Sequence, residues 1–299
     1  MTTYTADRKG HVTENDSFQD RFLEKMYGSA IGRALLKPLV NPVLSEIGGR
    51  ILDSRVSALA VPAFIRHAGI DMRDYEPKKY WSYNDFFTRR IRPGERMIAQ
   101  GENLLISPCD GKATVCRIGA DTRFYIKDTL YTAAQLLRNE RLADHYKGGY
   151  AVILRLTVDD YHHYCYVADG QKSKNVTLPG IYHTVNPAAN DAFPIYRENA
   201  REYTLIRTEK FGTIMMMEVG AMMVGKITNL EKDSCQVKKG AEKGYFEFGG
   251  STIILFLQHG KVRLDSDLLE NTEAGYETIV RMGERIGECK LSKRTGKSD

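Results

Sequence analysis

From about residue 99 onward the chain is a succession of short segments: "LLISP", "KATVCRI", "YAVILRLTV", "HYCYVA", "EYTLIRT", "TIMMMEVGAMMVGKI", "YFEF" and "TIILFL". Glycine-rich turns separate them. Runs this short, alternating and bounded by turn residues, read as strands. They predict a mainly antiparallel, barrel-like β-sheet domain over residues 99–299 with few helices, "TAAQLLRN" among those few. The N-terminal texture differs. "FLEKMYGSAIGRALLKPL" puts Leu23, Tyr27, Ala30, Ile31, Ala34 and Leu35 on one helical face, with Arg21, Lys25, Arg33 and Lys37 off it, until Pro38 and Pro42 break the pattern. Such a stripe suits an anionic lipid surface or a contact within its own domain. "RVSALAVPAFIRHAGI" predicts a second helix, and "SYNDFFTRR" a short one capped by Ser82 or Asn84. "RPGE" at 92–95 then reads as a turn. The expected fold class is α+β, with a flexible tail over 1–18, a helical membrane-facing region over 19–98 and the β domain after it.

At 299 residues and 42% apolar, the chain can bury a real core. Its net charge of +5 suits an anionic membrane surface or an acidic ligand. No helix-turn-helix pattern, zinc-finger spacing or basic block argues for nucleic acid. The five cysteines are odd in number and include no CxxC pair, which excludes a disulfide framework and a structural zinc site and points to reduced cytosolic thiols. The first twenty residues are polar, and no apolar run approaches the ~18 residues of a membrane span. The expectation is a peripheral protein at the cytoplasmic face of the cell membrane.

The stretch "KGYFEFGGSTIILFL", residues 243–257, sets Gly249, Gly250 and Ser251 between two strand-like runs. Glycine is disfavoured in buried strands. A serine hydroxyl beside a flexible glycine can attack the preceding carbonyl in an N-to-O acyl shift. β-Elimination of the ester then cuts the chain, and hydrolysis leaves a pyruvoyl group in place of the serine. That ketone condenses with a substrate amine and acts as an electron sink. The same residues also fit a strand bulge.

Other segments carry candidate chemistry. "SPCDGKA" at 107–113 puts Asp110 in a tight turn between strands. "DDYHHYCYVADG" at 159–170 clusters Asp159, Asp160, His162 and His163, of which strand alternation turns one histidine inward. "PGIYHTVNP" at 179–187 adds His183 before an Asn-Pro turn. "FFTRRIRPGERMI" offers Arg89, Arg90, Arg92 and Arg96 to a phosphate or carboxylate, or to solvent.

Taken in order, these segments resemble a phosphatidylserine decarboxylase proenzyme, a pyruvoyl-dependent decarboxylase family, from about residue 22 to 258. "SYNDFFTRRIRPGERMI" is similar to the family's Phe-Phe-x-Arg and Pro-Gly signature, "SPCDGKA" to its Ser-Pro-x-Asp-Gly turn, and "DYHHYCYVADG" to its Asp-Tyr-His segment. "YGSAIGRALLKPLVNP" resembles its membrane-facing start, and "VGAMMVGKI" with "KKGAEKGYFEFGGST" the approach to its cleavage site. The resemblance implies self-cleavage between Gly250 and Ser251. It implies a β chain 1–250 that stays with an α chain 251–299, the latter headed by a pyruvoyl group made from Ser251. It implies that Asp110 with a histidine activates Ser251, and that phosphatidylserine becomes phosphatidylethanolamine and CO2 at a membrane surface.

Two departures from the family pattern matter. Many members have a histidine three residues after the one aligned with His162, where this chain has Cys165. Many also lack a histidine at His183. The expectation is that His183 takes the maturation base role while His162 serves decarboxylation, with His162 alone doing both as the competing assignment. Where many members have Asn-Glu-Arg, this chain has Asn199-Ala200-Arg201. Arg89 or Arg90 is expected to hold the lipid phosphate. Rival readings are a pyruvoyl decarboxylase of a soluble amino acid and a non-catalytic biotinyl/lipoyl-like barrel, for which Lys112 is poorly placed because a strand follows it directly. The oligomeric state is left open, with a homodimer among the candidates.

Overall fold

The structure, a computed structural model, describes residues 3–15, 49–126, 129–180, 199–220, 226–247 and 251–290. Nineteen strands run in chain order through them. The first ten are β1 (Thr3–Ala6), β2 (Val12–Asn15), β3 (Leu104–Ile106), β4 (Gly111–Arg117), β5 (Arg123–Ile126), β6 (Thr129–Thr132), β7 (Tyr150–Leu156), β8 (His163–Cys165), β9 (Gly170–Lys172) and β10 (Val176–Leu178). Then come β11 (Arg201–Arg207), β12 (Thr213–Val219), β13 (Ile227–Asn229), β14 (Cys235–Val237), β15 (Glu242–Phe246), β16 (Ser251–Leu257), β17 (Val262–Leu264), β18 (Glu277–Val280) and β19 (Arg285–Cys289).

Eleven strands form one sheet in the order β14-β9-β11-β12-β16-β7-β4-β18-β1-β2, with β10 also on β11. Its pairings are antiparallel except β1 on β18. Among the described residues β14 and β2 are free edges, so the expected barrel is instead an open sheet. Physically, the sheet does not roll onto itself because each face has its own cover. On one face Ile253, Leu255 and Leu257 of β16 pack with Leu154, Met216 and residues of the two small sheets β13-β15-β8 and β17-β19-β3. On the other, Ile254 and Phe256 pack with Met215, Met217 and the helices Ala133–Leu137 and Glu140–Asp144. All seven residues of β16 are buried, as a two-sided central strand requires.

The expected helix over 22–39 lies outside the described residues, and within 49–98 the helices are short. "RVSALAVPAFIRHAGI" divides into a 3-10 turn, Arg55–Ala60, and an α-helix, Val61–Ala68. Pro62 lacks an N–H and is tolerated only in a first turn, so a new helix starts there. Ser82 caps the helix Tyr83–Phe87, its Oγ accepting the Asp85 N–H at 3.0 Å. Val61, Tyr83, Phe86 and Phe87 bury a third apolar cluster against Val158, which ties this region to the loop after β7.

Residues 3–15 are not the mobile tail that their polarity suggests. β1 and β2 form a hairpin, and β1 adds to the sheet beside β18, with Thr5 opposite Glu277. Asp7 makes the turn by accepting the Lys9 and His11 N–H groups. Arg8 pins the hairpin by pairing with Asp267 and, at 3.0 Å, Asp265.

Candidate active site

Ser251 opens β16, opposite Leu156 at the end of β7. Alternation puts its side chain on the same sheet face as Ile253. The residue is fully buried, and its Oγ has no hydrogen-bond partner among the described residues. A buried hydroxyl without a partner costs about 1–3 kcal/mol. The neighbouring Thr252 Oγ1 is likewise buried without a partner among the described residues. Gly250 and His183 lie outside the described residues.

His162 is reached from both sides of that junction. β7 runs from Ser251's partner Leu156 into the loop that ends at His162. β15 runs toward the junction from Phe246, whose N–H donates to the His162 carbonyl at 3.0 Å. The imidazole is buried and lies tilted against Phe87, with ring centroids 3.9 Å apart and planes at 39°. Its Nδ1 lies 2.9 Å from the Asp160 carbonyl, which can only accept, so Nδ1 carries the proton and Nε2 presents a lone pair. Nε2 has no partner among the described residues. Burial, then the Arg89 charge, push the His162 pKa down to about 3. The ring is therefore neutral, with its basic nitrogen free.

The loop beneath it is anchored by Asp160. Its carboxylate accepts from the Thr157 N–H at 2.6 Å and from Lys112 Nζ at 2.9 Å. Burial alone pushes this carboxyl up, but Lys112 and Thr157 more than offset it and hold it below its ordinary range. Lys112 is thus a structural cation on β4.

Asp110 is not joined to a histidine among the described residues; His183, one of its two expected partners, lies outside them. Arg96 donates to it from Nε at 3.0 Å and Nη2 at 2.6 Å, and the Met282 N–H adds a third donor at 2.8 Å. The physical reason is reach: the "RPGER" turn delivers a two-pronged cation to the carboxylate, and His162 finds its acceptor within its own loop. Gly111 brings this turn close to β7, since a Cβ there would lie 2.8 Å from the Arg155 carbonyl oxygen.

The adjacent His163 sits differently. Its Nδ1 meets Glu242 at 2.6 Å and its Nε2 meets the Thr88 carbonyl at 3.1 Å. The ring stacks between Tyr161 and Tyr245. Both nitrogens are engaged, so His163 is a fastener between β15 and the helical region.

Of the two arginines proposed for phosphate, Arg89 is turned inward. It is 2% exposed, and its Nη2 donates to the Asp159 and Asp160 carbonyls at 2.8 and 3.1 Å. Arg90 is mostly exposed and 3.4 Å from Glu242. It lines a cleft of about 230 Å³ with Arg89, Lys78, Tyr80, His163 and Tyr245.

Sequence reasoning missed a buried polar network on the same sheet face. Glu218, opposite Ile253, pairs with Lys243 at 2.9 Å, and both are fully buried. Asn229 bridges to Glu218 at 3.3 Å and accepts from Tyr164 at 3.3 Å. Burial raises the Glu218 pKa, and Lys243 opposes the rise. The legible signal was a single carboxylate inside the apolar run "TIMMMEVG". Cys165, where many relatives carry histidine, is a buried thiol pushed up to about 12 by burial, so it is no base.

The described site thus holds a buried serine hydroxyl without a partner at the head of β16 and a buried histidine with a free Nε2 in the loop after β7, on a mixed, sheet-rich fold. The family model described as phosphatidylserine decarboxylase matches residues 83–288. The phosphatidylserine decarboxylase proenzyme 2 of Clostridium acetobutylicum is 41% identical over 290 residues, 96% of this chain and 98% of that protein. Phosphatidylserine decarboxylase proenzymes of Clostridium botulinum (strain Alaska E43) and Fusobacterium nucleatum are 39% and 37% identical over 292 residues each, covering 96% of this chain and 98% and 97% of theirs. The chain belongs to the phosphatidylserine decarboxylase family, an enzyme family of carboxy-lyases.

Proposed function

We propose that the chain cuts its own Gly250–Ser251 bond and then converts phosphatidylserine to phosphatidylethanolamine and CO2 at a membrane surface. The observation that carries this reading is the buried Ser251 hydroxyl with no partner among the described residues, in a chain of this family.

In the uncut chain His162 takes the Ser251 hydroxyl proton at Nε2, and Oγ attacks the Gly250 carbonyl. The peptide C–N bond breaks as the C–O bond forms, and the freed nitrogen takes a proton. Loss of the Ser251 α-proton then expels Gly250 as a carboxylate. Water replaces the nitrogen of the resulting dehydroalanine, releasing ammonia. His162 is favoured as base because its lone pair is free and its ring unprotonated; a donor to a carbanion needs the opposite state. The competing base is His183. Cleavage on a gel decides between them: His162→Ala stays whole and His183→Ala is cut if His162 is the base, and the reverse pattern gives the role to His183.

Residue 251 in pyruvoyl form supplies an electrophilic ketone that draws electrons from the substrate's α-carbon as CO2 leaves. The chain's own residues supply the rest. β16 lies between β7 and β12, so the 251–299 chain stays hydrogen-bonded to the 1–250 chain after the cut. Arg90 and Lys78 at the cleft suit the lipid phosphate. Ile51, Val56, Leu59 and Trp81 are exposed large apolar side chains. They lie on adjoining turns, since Tyr83 N–H donates to Ser57 and Asn84 to Asp53. These residues make a peripheral contact with the cytoplasmic face of the cell membrane; among the described residues no helix is long and apolar enough to cross it.

The test is CO2 release and phosphatidylethanolamine formation from phosphatidylserine vesicles. Wild-type protein turns over and Ser251→Ala does not. Turnover of a soluble amino acid with none of the lipid favours the soluble-substrate reading.

A further inference from the structure

Arg89 and His162 converge on one oxygen. The Asp160 carbonyl accepts from Arg89 Nη2 at 3.1 Å and faces His162 Nδ1 at 2.9 Å. Arg89 is 2% exposed and makes no ion pair among the described residues, and its Nε and Nη1 have no partner there. Its guanidinium rests on the Tyr75 and Phe86 rings, 4.5 and 4.8 Å from their centroids. A buried cation without a counter-charge is costly unless its field is used. Its Nη2 alone makes the polar contacts, to the Tyr75 hydroxyl at 3.2 Å and the Asp159 and Asp160 carbonyls.

We propose that Arg89 is a positioning residue for His162: it clamps the carbonyl that fixes the Nδ1 proton and sets a positive charge beside the ring. Phe87, two residues earlier, packs at a tilt against the same imidazole, so the Phe-Phe-x-Arg segment is the mount of the Asp-Tyr-His segment. The other charged groups about the ring are already engaged. The Asp160 carboxylate is taken by Lys112 of β4, and His163 by Glu242 of β15. Arg89 is therefore the unpaired cation beside His162 among the described residues, and the paired Asp160 carboxylate opposes it in part. This inference rests on His162 serving the chemistry at Ser251, and its test is arranged to stand apart from that reading.

In the uncleavable Ser251→Ala protein, the His162 ring resonance is followed by NMR against pH, assigned by its loss in His162→Gln. With Arg89 present the ring stays an unprotonated Nδ1–H tautomer above pH 5. Arg89→Met moves its midpoint up by about 1–3 units, the usual effect of removing a like charge. Arg89→Lys keeps the charge and the low midpoint but loosens the tautomer, because an ammonium lacks the planar fork. In the cleavable chain, self-cleavage by Arg89→Met falls between pH 7 and pH 5 while wild type stays level. A folded Arg89→Met protein with an unchanged His162 midpoint overturns the proposal. Should Arg89→Met fail to fold, a raised midpoint in Arg89→Lys overturns it instead. If His162 proves unnecessary for cleavage, the NMR midpoints still decide the role of Arg89.

Discussion

Arg96 grips Asp110 through two nitrogens, with Nη2 2.6 Å from one oxygen and Nε 3.0 Å from the other, both side chains nearly buried. Burial alone would lower the Arg96 pKa, but the pairing raises it further, so the guanidinium is locked as a cation. The sequence reading cast Asp110 as the orienter of a histidine. Within the described structure it is the anchor of the turn that carries β4 to β7.

The first prediction concerns this pair. In the Ser251→Ala background, Asp110→Ala leaves the nearly buried Arg96 with only its longer contact to Asp74, at 3.5 Å, and lowers unfolding stability by about 3 kcal/mol. Arg96→Met with Asp110→Ala costs clearly less than the two single changes added together. Urea unfolding measures all three, and strictly additive losses would show that the pair is not coupled.

Much of this site was legible before the structure, and the limits are physical. Ser251 and its glycines stood out because glycine has no reason to interrupt a buried strand. Ser82 was legible as a cap because capping is local, within three residues. The surroundings of Arg89 were not legible because a sequence shows charge but not which way a long side chain turns. Its partners Asp159 and Asp160 lie seventy residues on. The hairpin of residues 3–15 was missed for the same reason, since β18 and Asp265, which hold it, are near the other end of the chain. The barrel expectation failed because strand count gives no closure.

The second prediction is a pH dependence. His162 is depressed to about 3 when folded and returns to about 6.5 when unfolded. Between those values the unfolded chain binds more protons, so stability rises with pH through that window and is lost as pH falls from 6.5. In the Ser251→Ala background, His162→Gln removes that contribution. The difference in urea midpoint between the two proteins therefore changes between pH 7 and pH 5. A constant difference would mean that His162 is not held neutral.

A third prediction follows from Glu218 and Lys243, which are fully buried. Lys243→Met alone strands a carboxylate and costs about 3–5 kcal/mol. Adding Glu218→Gln recovers a large part of that loss. Thermal unfolding of the uncleaved proteins checks it, and no recovery would show that Glu218 does not depend on Lys243.

The Cys165 thiol is buried and raised to about 12, so it takes no proton in maturation. Cys165→Ala is expected to self-cleave within about three-fold of wild type, since it loses only a small buried side chain. Abolished cleavage would assign Cys165 a role this account denies it.

At the surface, Val56 and Leu59 are 74% and 81% exposed. Each such side chain contributes about 1.5–3 kcal/mol when buried in lipid, and about 1.4 kcal/mol is ten-fold in partition. Val56→Asp with Leu59→Asp should weaken binding to phosphatidylserine vesicles at least ten-fold without changing self-cleavage. Unchanged flotation with vesicles would move the membrane contact elsewhere on the protein.

The central claim, that one backbone bond breaks itself, is tested most directly by the intact mass of freshly purified protein. The account predicts two pieces, residues 1–250 and 251–299, with the second lacking the serine nitrogen and bearing a ketone reactive to borohydride, and a single whole chain for Ser251→Ala. A wild-type chain that persists at its full 299 residues under the same conditions contradicts it.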